Sequence, residues 1–214
     1  MVADPVILPE VAKIPEPEFT ALRYEFKYGI NAYLGYVAGF GFGGALPSSL
    51  AELIDFNKRN ADLVLSRFGQ ETFEASEATS GDLTDPEYLA ARREATRLAQ
   101  TAISAPLAEH GVEAIVALTA NPASLTDYVL GDHDVFHTSS PAAVAGCPSV
   151  TVPAGYVSGL PVGVSFFGPR WSEPRLIALA YAFEQATAVR QIPTMPPSLV
   201  LAADRPGQAR NTAR

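Results

Sequence analysis

Apolar residues along this chain fall first into helical spacing and later into short extended runs. Phe19, Leu22, Phe26, Ile30, Tyr33, Leu34 and Val37 lie on one helical stripe, which predicts an amphipathic helix from Glu18 to about Leu34. Ahead of it, Val6-Ile7-Leu8 reads as the end of a core strand, and Pro9, Pro15 and Pro17 read as an extended linker that no helix crosses. A glycine-rich loop follows from Gly35 to Gly44. Ser49 then caps a helix to Asn57, a second short helix covers Ala61 to Phe68, and Gly69 to Gly81 is polar with few core positions. The longest helix starts at Thr84-Asp85-Pro86, with Thr84 and Glu87 at capping-box spacing. Tyr88, Ala91, Ala95, Leu98 and Ala102 point inward, Arg92, Arg93 and Arg97 form a solvated face, and Pro106 kinks or ends the helix.

Beyond Gly111 the pattern becomes extended. Val112 to Thr119 is a strand, and Asn121-Pro122 turns the chain directly after it. Ser140, Pro141 and Gly146 supply a cap, a first-turn proline and a left-handed terminator for a short helix over Pro141 to Ala145. Ser149 to Val152 and Val162 to Phe167 are strands flanking a turn at Ser158-Gly159, the second run being apolar enough for burial on both faces. Ser172 caps a last helix, and its inward positions Leu176, Leu179, Ala180, Phe183 and Ala186 lay it flat on the sheet. The predicted class is α/β, a mixed sheet with helices on both faces.

The run AAVAGCPSVTVPAG, followed by GLPVGVSFFG and WSEPRLIALAYAFEQAT, resembles the C-terminal part of the amidase-signature family of amide hydrolases. Upstream, YEFKYGINAYL, LAELIDFNKRNA, RFGQETFEAS and VEAIVALT extend the resemblance over nearly everything from Phe19 to Arg190. It implies hydrolysis of carboxylic amides through an acyl-serine intermediate, using a serine nucleophile, a second serine in a cis peptide linkage and a lysine base, with no metal or cofactor. Neither the lysine-bearing segment nor the Gly-Ser signature of that machinery is found here. The nearest string, Gly41 to Ser49, has Pro47 out of place and reads as a loop and helix cap. The N-terminal catalytic portion is therefore expected to be absent, with residues 1–190 forming the C-terminal portion of an amidase domain and 191–214 a proline-rich, partly disordered tail. Two function classes follow. One is a fragment or subunit of an amidase contributing scaffold and substrate pocket; the other is a non-catalytic binding or scaffold module that kept the fold.

Pocket candidates come from the loop at the strand's C-terminal end, the edge at which open α/β sheets bind ligands. That loop, Leu118 to Ser140, is polar and carries two of the three histidines. Thr119, Asp127, Asp132, His133 and Ser139 are the candidates within it, and Cys147 follows the short helix. His133 and His137 sit at i,i+4, but no third histidine or following glutamate completes a zinc site, and Gly131 with its flanking aspartates reads as a turn. A lone glycine-rich stretch without a following Lys-Ser/Thr is no phosphate loop. Ser165 lacks a nucleophile elbow and reads as a strand serine bonded to backbone. Cys147 reads as a small buried residue.

Composition adds exclusions. A net charge of −8 would be repelled by nucleic acid and by anionic membrane, which removes both as partners. The single cysteine allows no internal disulfide, which suits a reducing cytoplasm. No apolar run reaches the length of a membrane helix. A sheet that opens on Val6 to Leu8 looks cut through its middle, so the expected partner is the N-terminal half of an amidase domain, or a second copy through the truncated sheet. The substrate of the intact enzyme would be a small-molecule amide.

Overall fold

The computed structural model describes residues 2–40, 46–133 and 135–194. A 3-10 turn at Val11–Lys13 leads into α1 (Pro15–Ala38), followed by α2 (Leu50–Arg59), α3 (Ala61–Val64), α4 (Glu71–Glu77) and α5 (Pro86–His110). Then come β1 (Ile115–Leu118), α6 (Ser139–Ala145), β2 (Ser149–Val157), β3 (Leu160–Phe167) and α7 (Glu173–Thr187).

β3 is the middle strand of the order β1-β3-β2, antiparallel to both neighbours, and the register aligns Ala117, Ser165 and Thr151 in one row. β2 and β3 form a hairpin. Its turn residues Ser158 and Gly159 both take positive φ, 51° and 81°, the combination whose twist suits a two-residue hairpin loop. Val164 to Phe167 are buried without interruption, because each face of β3 is covered. Val164 and Phe166 pack with Val150 and Val152 under Leu176 and Ala180 of α7. On the opposite face, Phe167, Ile115 and Ala117 pack against Leu98, Ile103 and Leu107 of α5 and Ala142 and Ala145 of α6. Helices therefore lie on both faces, as the burial pattern of the central strand requires.

Several local expectations change. Val6 to Leu8 joins no ladder, and Ile7 is 83% exposed. The prolines do not hold off the helix: Pro15 and Pro17 lie in the first turn of α1, where backbone N–H groups have no intrahelical acceptor to lose. The buried face of α1 carries Pro17, Ala21 and Tyr24, leaving Phe19 and Leu22 exposed. Polar pairing fixes that rotation. Tyr24 donates to Glu87 and Tyr88 to Glu25, with the two rings 5.9 Å apart. The polar stretch hides α4, which Lys27 anchors by donating to the carbonyls of Glu77 (2.7 Å) and Thr79 (2.8 Å).

Asp85, not Thr84, caps α5, its carboxylate accepting from the Glu87 N–H at 3.0 Å. Pro106 does not end that helix, which runs on to a left-handed Gly111. Ile103 and Leu107 on either side share one core cluster, and their burial outweighs the hydrogen bond that proline removes. Ser140 is inside α6 instead of capping it, and donates to the Glu18 carboxylate at 2.6 Å, tying α6 to α1. Ser172 precedes α7 without a side-chain cap, and Ala186 is exposed. Residues 41–45, Asp134 and 195–214, which include part of the glycine-rich string and most of the tail, lie outside the described residues.

Candidate functional site

The loop after β1 is drawn closed at its base. Thr119 N–H extends the ladder to the Gly163 carbonyl at 2.8 Å, and Thr138 N–H donates to the Thr119 carbonyl at 3.0 Å. Ala120 bridges His137, Asn121 N–H donates to the Phe136 carbonyl at 3.0 Å, and the Asn121 amide oxygen accepts from Phe136 N–H at 3.1 Å. Residues 122–133 form an excursion with its own turn chemistry. Asp127 accepts from the N–H groups of Val129 (2.8 Å) and Leu130 (3.0 Å), bonds that hold its carboxyl below the usual range. Tyr128 packs on Phe68, 5.7 Å between rings, with Arg67 stacked over it, so the segment after α3 braces this loop.

An open depression of about 310 Å³ lies along the loop, lined by Asn121, Pro122, Ser124, Thr126, Asp132 and His133. Asp132 accepts from Asp127 N–H at 3.4 Å, and His133 Nε2 is 3.8 Å from the Asp127 carboxylate. Thr119 stands at the loop's entry, its hydroxyl 2.8 Å from that of Ser165. Ser139 begins α6, 3.3 Å from His137 Nδ1. The structure thus groups Asp127, Asp132 and His133 at the tip and places Thr119 and Ser139 at the base. His133 and His137 lie outside any helix, and no cluster of three metal-ligating side chains occurs among the described residues.

Cys147 sits apart. It lines a second depression, of about 350 Å³, with Gly146, Pro148, Arg170, Trp171 and Glu173. Burial pushes its thiol pKa up, against a smaller opposing pull from Arg170, so the group is a thiol and no ready nucleophile. Arg170 is engaged instead with the Ala145 carbonyl at the end of α6, at 3.0 Å.

Sequence reasoning missed the diagonal row of hydroxyls on Thr119, Ser165 and Thr151. Ser165 is 3% exposed and bonds not to backbone but to the two threonine hydroxyls, each at 2.8 Å. Strand alternation places Thr151 and Ser165 on one face, which is the signal that could have found it.

The family model described as Amidase matches residues 39–177. The chain belongs to the amidase family. A probable amidase of Arabidopsis thaliana is 37% identical over 178 residues, 82% of this chain and 30% of that protein. The crystal structure of the peptide amidase of Stenotrophomonas maltophilia superposes with a TM-score of 0.73 at 43% identity, covering 88% of this chain and 37% of that enzyme. An amidase family protein of Bacillus anthracis superposes at 0.67 with 28% identity, covering 91% and 34%. The chain therefore spans about a third of the length of these amidases. Among the described residues, no helix is long and apolar enough to cross a membrane.

Proposed function

We propose that this chain is the C-terminal portion of an amide hydrolase and supplies scaffold and substrate wall to a catalytic N-terminal amidase segment. In that assembly a serine of the segment adds to the amide carbonyl, the amine leaves with a proton returned by the lysine, and water releases the acid from the acyl-serine. Residues 1–190 form the amidase portion and 191–214 a tail. Thr119, Asp127, Asp132, His133 and Ser139 face the substrate, with Cys147 in a neighbouring recess. The likeness to a peptide amidase favours a peptide-type amide as that substrate. The single cysteine and acidic balance suit a cytoplasmic setting.

The state of the lysines carries the reading. All three are committed to carboxylates: Lys27 is 3.1 Å from Glu77 and bonded to two carbonyls, Lys58 is 3.0 Å from Glu74, and Lys13 is 3.5 Å from Glu10. None of these contacts joins a lysine to a serine hydroxyl, the pairing that a lysine base acting on a serine nucleophile requires. The open side of β1 adds support, because Val116 and Leu118 are 57% and 56% exposed on a strand that, among the described residues, pairs along one edge only.

The purified chain should leave simple aryl and aliphatic amides at the background rate and should not react with a serine-directed phosphonate. A phosphonate-sensitive turnover above about 1 s⁻¹, the low end of ordinary enzymes, would place the chemistry in this chain and overturn the reading.

A further inference from the structure

The hydroxyl row on the sheet is built with care for its spacing. Thr119 and Thr151 lean toward each other across Gly163, where an added Cβ would meet the Thr119 hydroxyl at 2.8 Å and the Thr151 methyl at 2.9 Å. Only glycine leaves room for both threonines to converge on Ser165. Three hydroxyls carry three protons, and the two contacts of 2.8 Å use two of them.

Burial decides which two. Ser165 is 3% exposed, so its own O–H must point at one threonine, while the other threonine donates to it. The threonine that accepts keeps its own proton, and no other acceptor for either threonine hydroxyl is found among the described residues. If that proton is on Thr151, it sits on an exposed edge-strand residue; if on Thr119, it sits beside Ala120, a lining residue of the loop depression. Either way, a donor polarised by the chain of hydroxyls behind it is left over on a residue that solvent reaches.

We propose that this row is a carbonyl-binding site, in which the left-over threonine hydroxyl donates to a carbonyl oxygen of a peptide-type amide. The proposal rests on the reading of this chain as a substrate wall and names Thr151 and Ser165, with Thr119, as residues that favour amides carrying a second carbonyl over alkyl amides. A row serving only to pair strands would stabilise the sheet and recognise nothing.

The test uses the whole chain with ¹³C-labelled threonine methyls, titrated with N-acetyl-alaninamide. Saturable shifts at Thr119 and Thr151 are expected, with a Kd of about 1–10 mM, as suits a ligand with few contacts. Followed through the backbone amides of Gly163 and Ser165, which both proteins keep, Thr151→Val and Thr119→Val should together weaken binding at least about threefold, the scale of one modest hydrogen bond. Valine suits a strand, so these variants keep the test alive if Ser165→Ala fails to fold. Unmoved threonine methyls up to about 100 mM, above the weakest affinity tabulated for specific ligands, or equal binding by the double variant, would overturn the proposal. Shifts without hydrolysis by an assembled enzyme would instead sink the amidase reading and leave this site standing.

Discussion

Tyr24 keeps its proton far into alkaline pH, with a pKa pushed up to about 12 by its hydrogen bond to Glu87, then by burial and by the charge of Asp85. The neutral phenol is the form the fold favours. Its contribution is complete below the ordinary tyrosine value of about 10 and is lost as pH rises from there through about 12. Ultraviolet titration of tyrosinate should show a late phase that Tyr24→Phe diminishes, leaving the part that belongs to Tyr88, which burial and its bond to Glu25 also push up; an undiminished late phase would assign it elsewhere. Asp127 has the opposite sign, because a lowered pKa makes its contribution complete above about pH 4 and lost as pH falls through the folded value. Asp127→Ala should speed amide exchange at Val129 and Leu130 while leaving the global melting temperature unchanged. A large drop in that temperature would make this loop part of the core. Neither role was legible in sequence. Its place in a polar loop makes Asp127 a pocket candidate, but its bonds to Leu130 and Val129 depend on the turn actually adopted. Likewise the Tyr24–Glu87 bond spans 63 positions, and no local pattern reports it.

At the scale of elements, the readable features were those that local chemistry decides. Ser49 does cap α2, accepting from Glu52 N–H at 3.2 Å, Gly146 does end α6 in the left-handed region, and the Ser158-Gly159 turn does join two strands. Features decided by packing were misread. Helical spacing runs the apolar stripe of α1 through Phe19 and Leu22, yet pairing with α5 turns Tyr24 inward. Pro106 predicts a kink or an end of the helix, and burial of Ile103 and Leu107 carries the helix past it without an end. α7 is the firmest of these elements for a test, since Leu176 is fully buried against Val164 and Phe166. Leu176→Ala should cost about 2–5 kcal/mol and lower the denaturation midpoint accordingly. Phe183→Ala should cost less than burial on the core side alone would suggest, because Phe183 is half-buried and meets Phe166 edge-on at 6.0 Å. An unchanged midpoint for Leu176→Ala would mean that α7 does not cover the sheet.

For the whole molecule, the amidase resemblance was legible because the helix, hairpin and flat-lying helix of the C-terminal half keep a specific order. How the chain completes its surface was not legible, because exposure depends on neighbours. Phe19, Leu22, Tyr33 and Tyr36 on α1, with Val116 and Leu118 on β1, leave apolar area open. Light scattering on the isolated chain should therefore show self-association, reduced by Val116→Lys with Leu118→Lys at the open edge. A stable monomer that binds no hydrophobic dye would mean that the sheet closes on itself. The most direct measurement is amide hydrolysis after mixing this chain with the N-terminal segment of the Stenotrophomonas peptide amidase. A one-to-one complex that hydrolyses a peptide amide is expected, while neither piece does so alone. Hydrolysis by this chain alone, or an inert mixture despite a stable one-to-one complex, would contradict it.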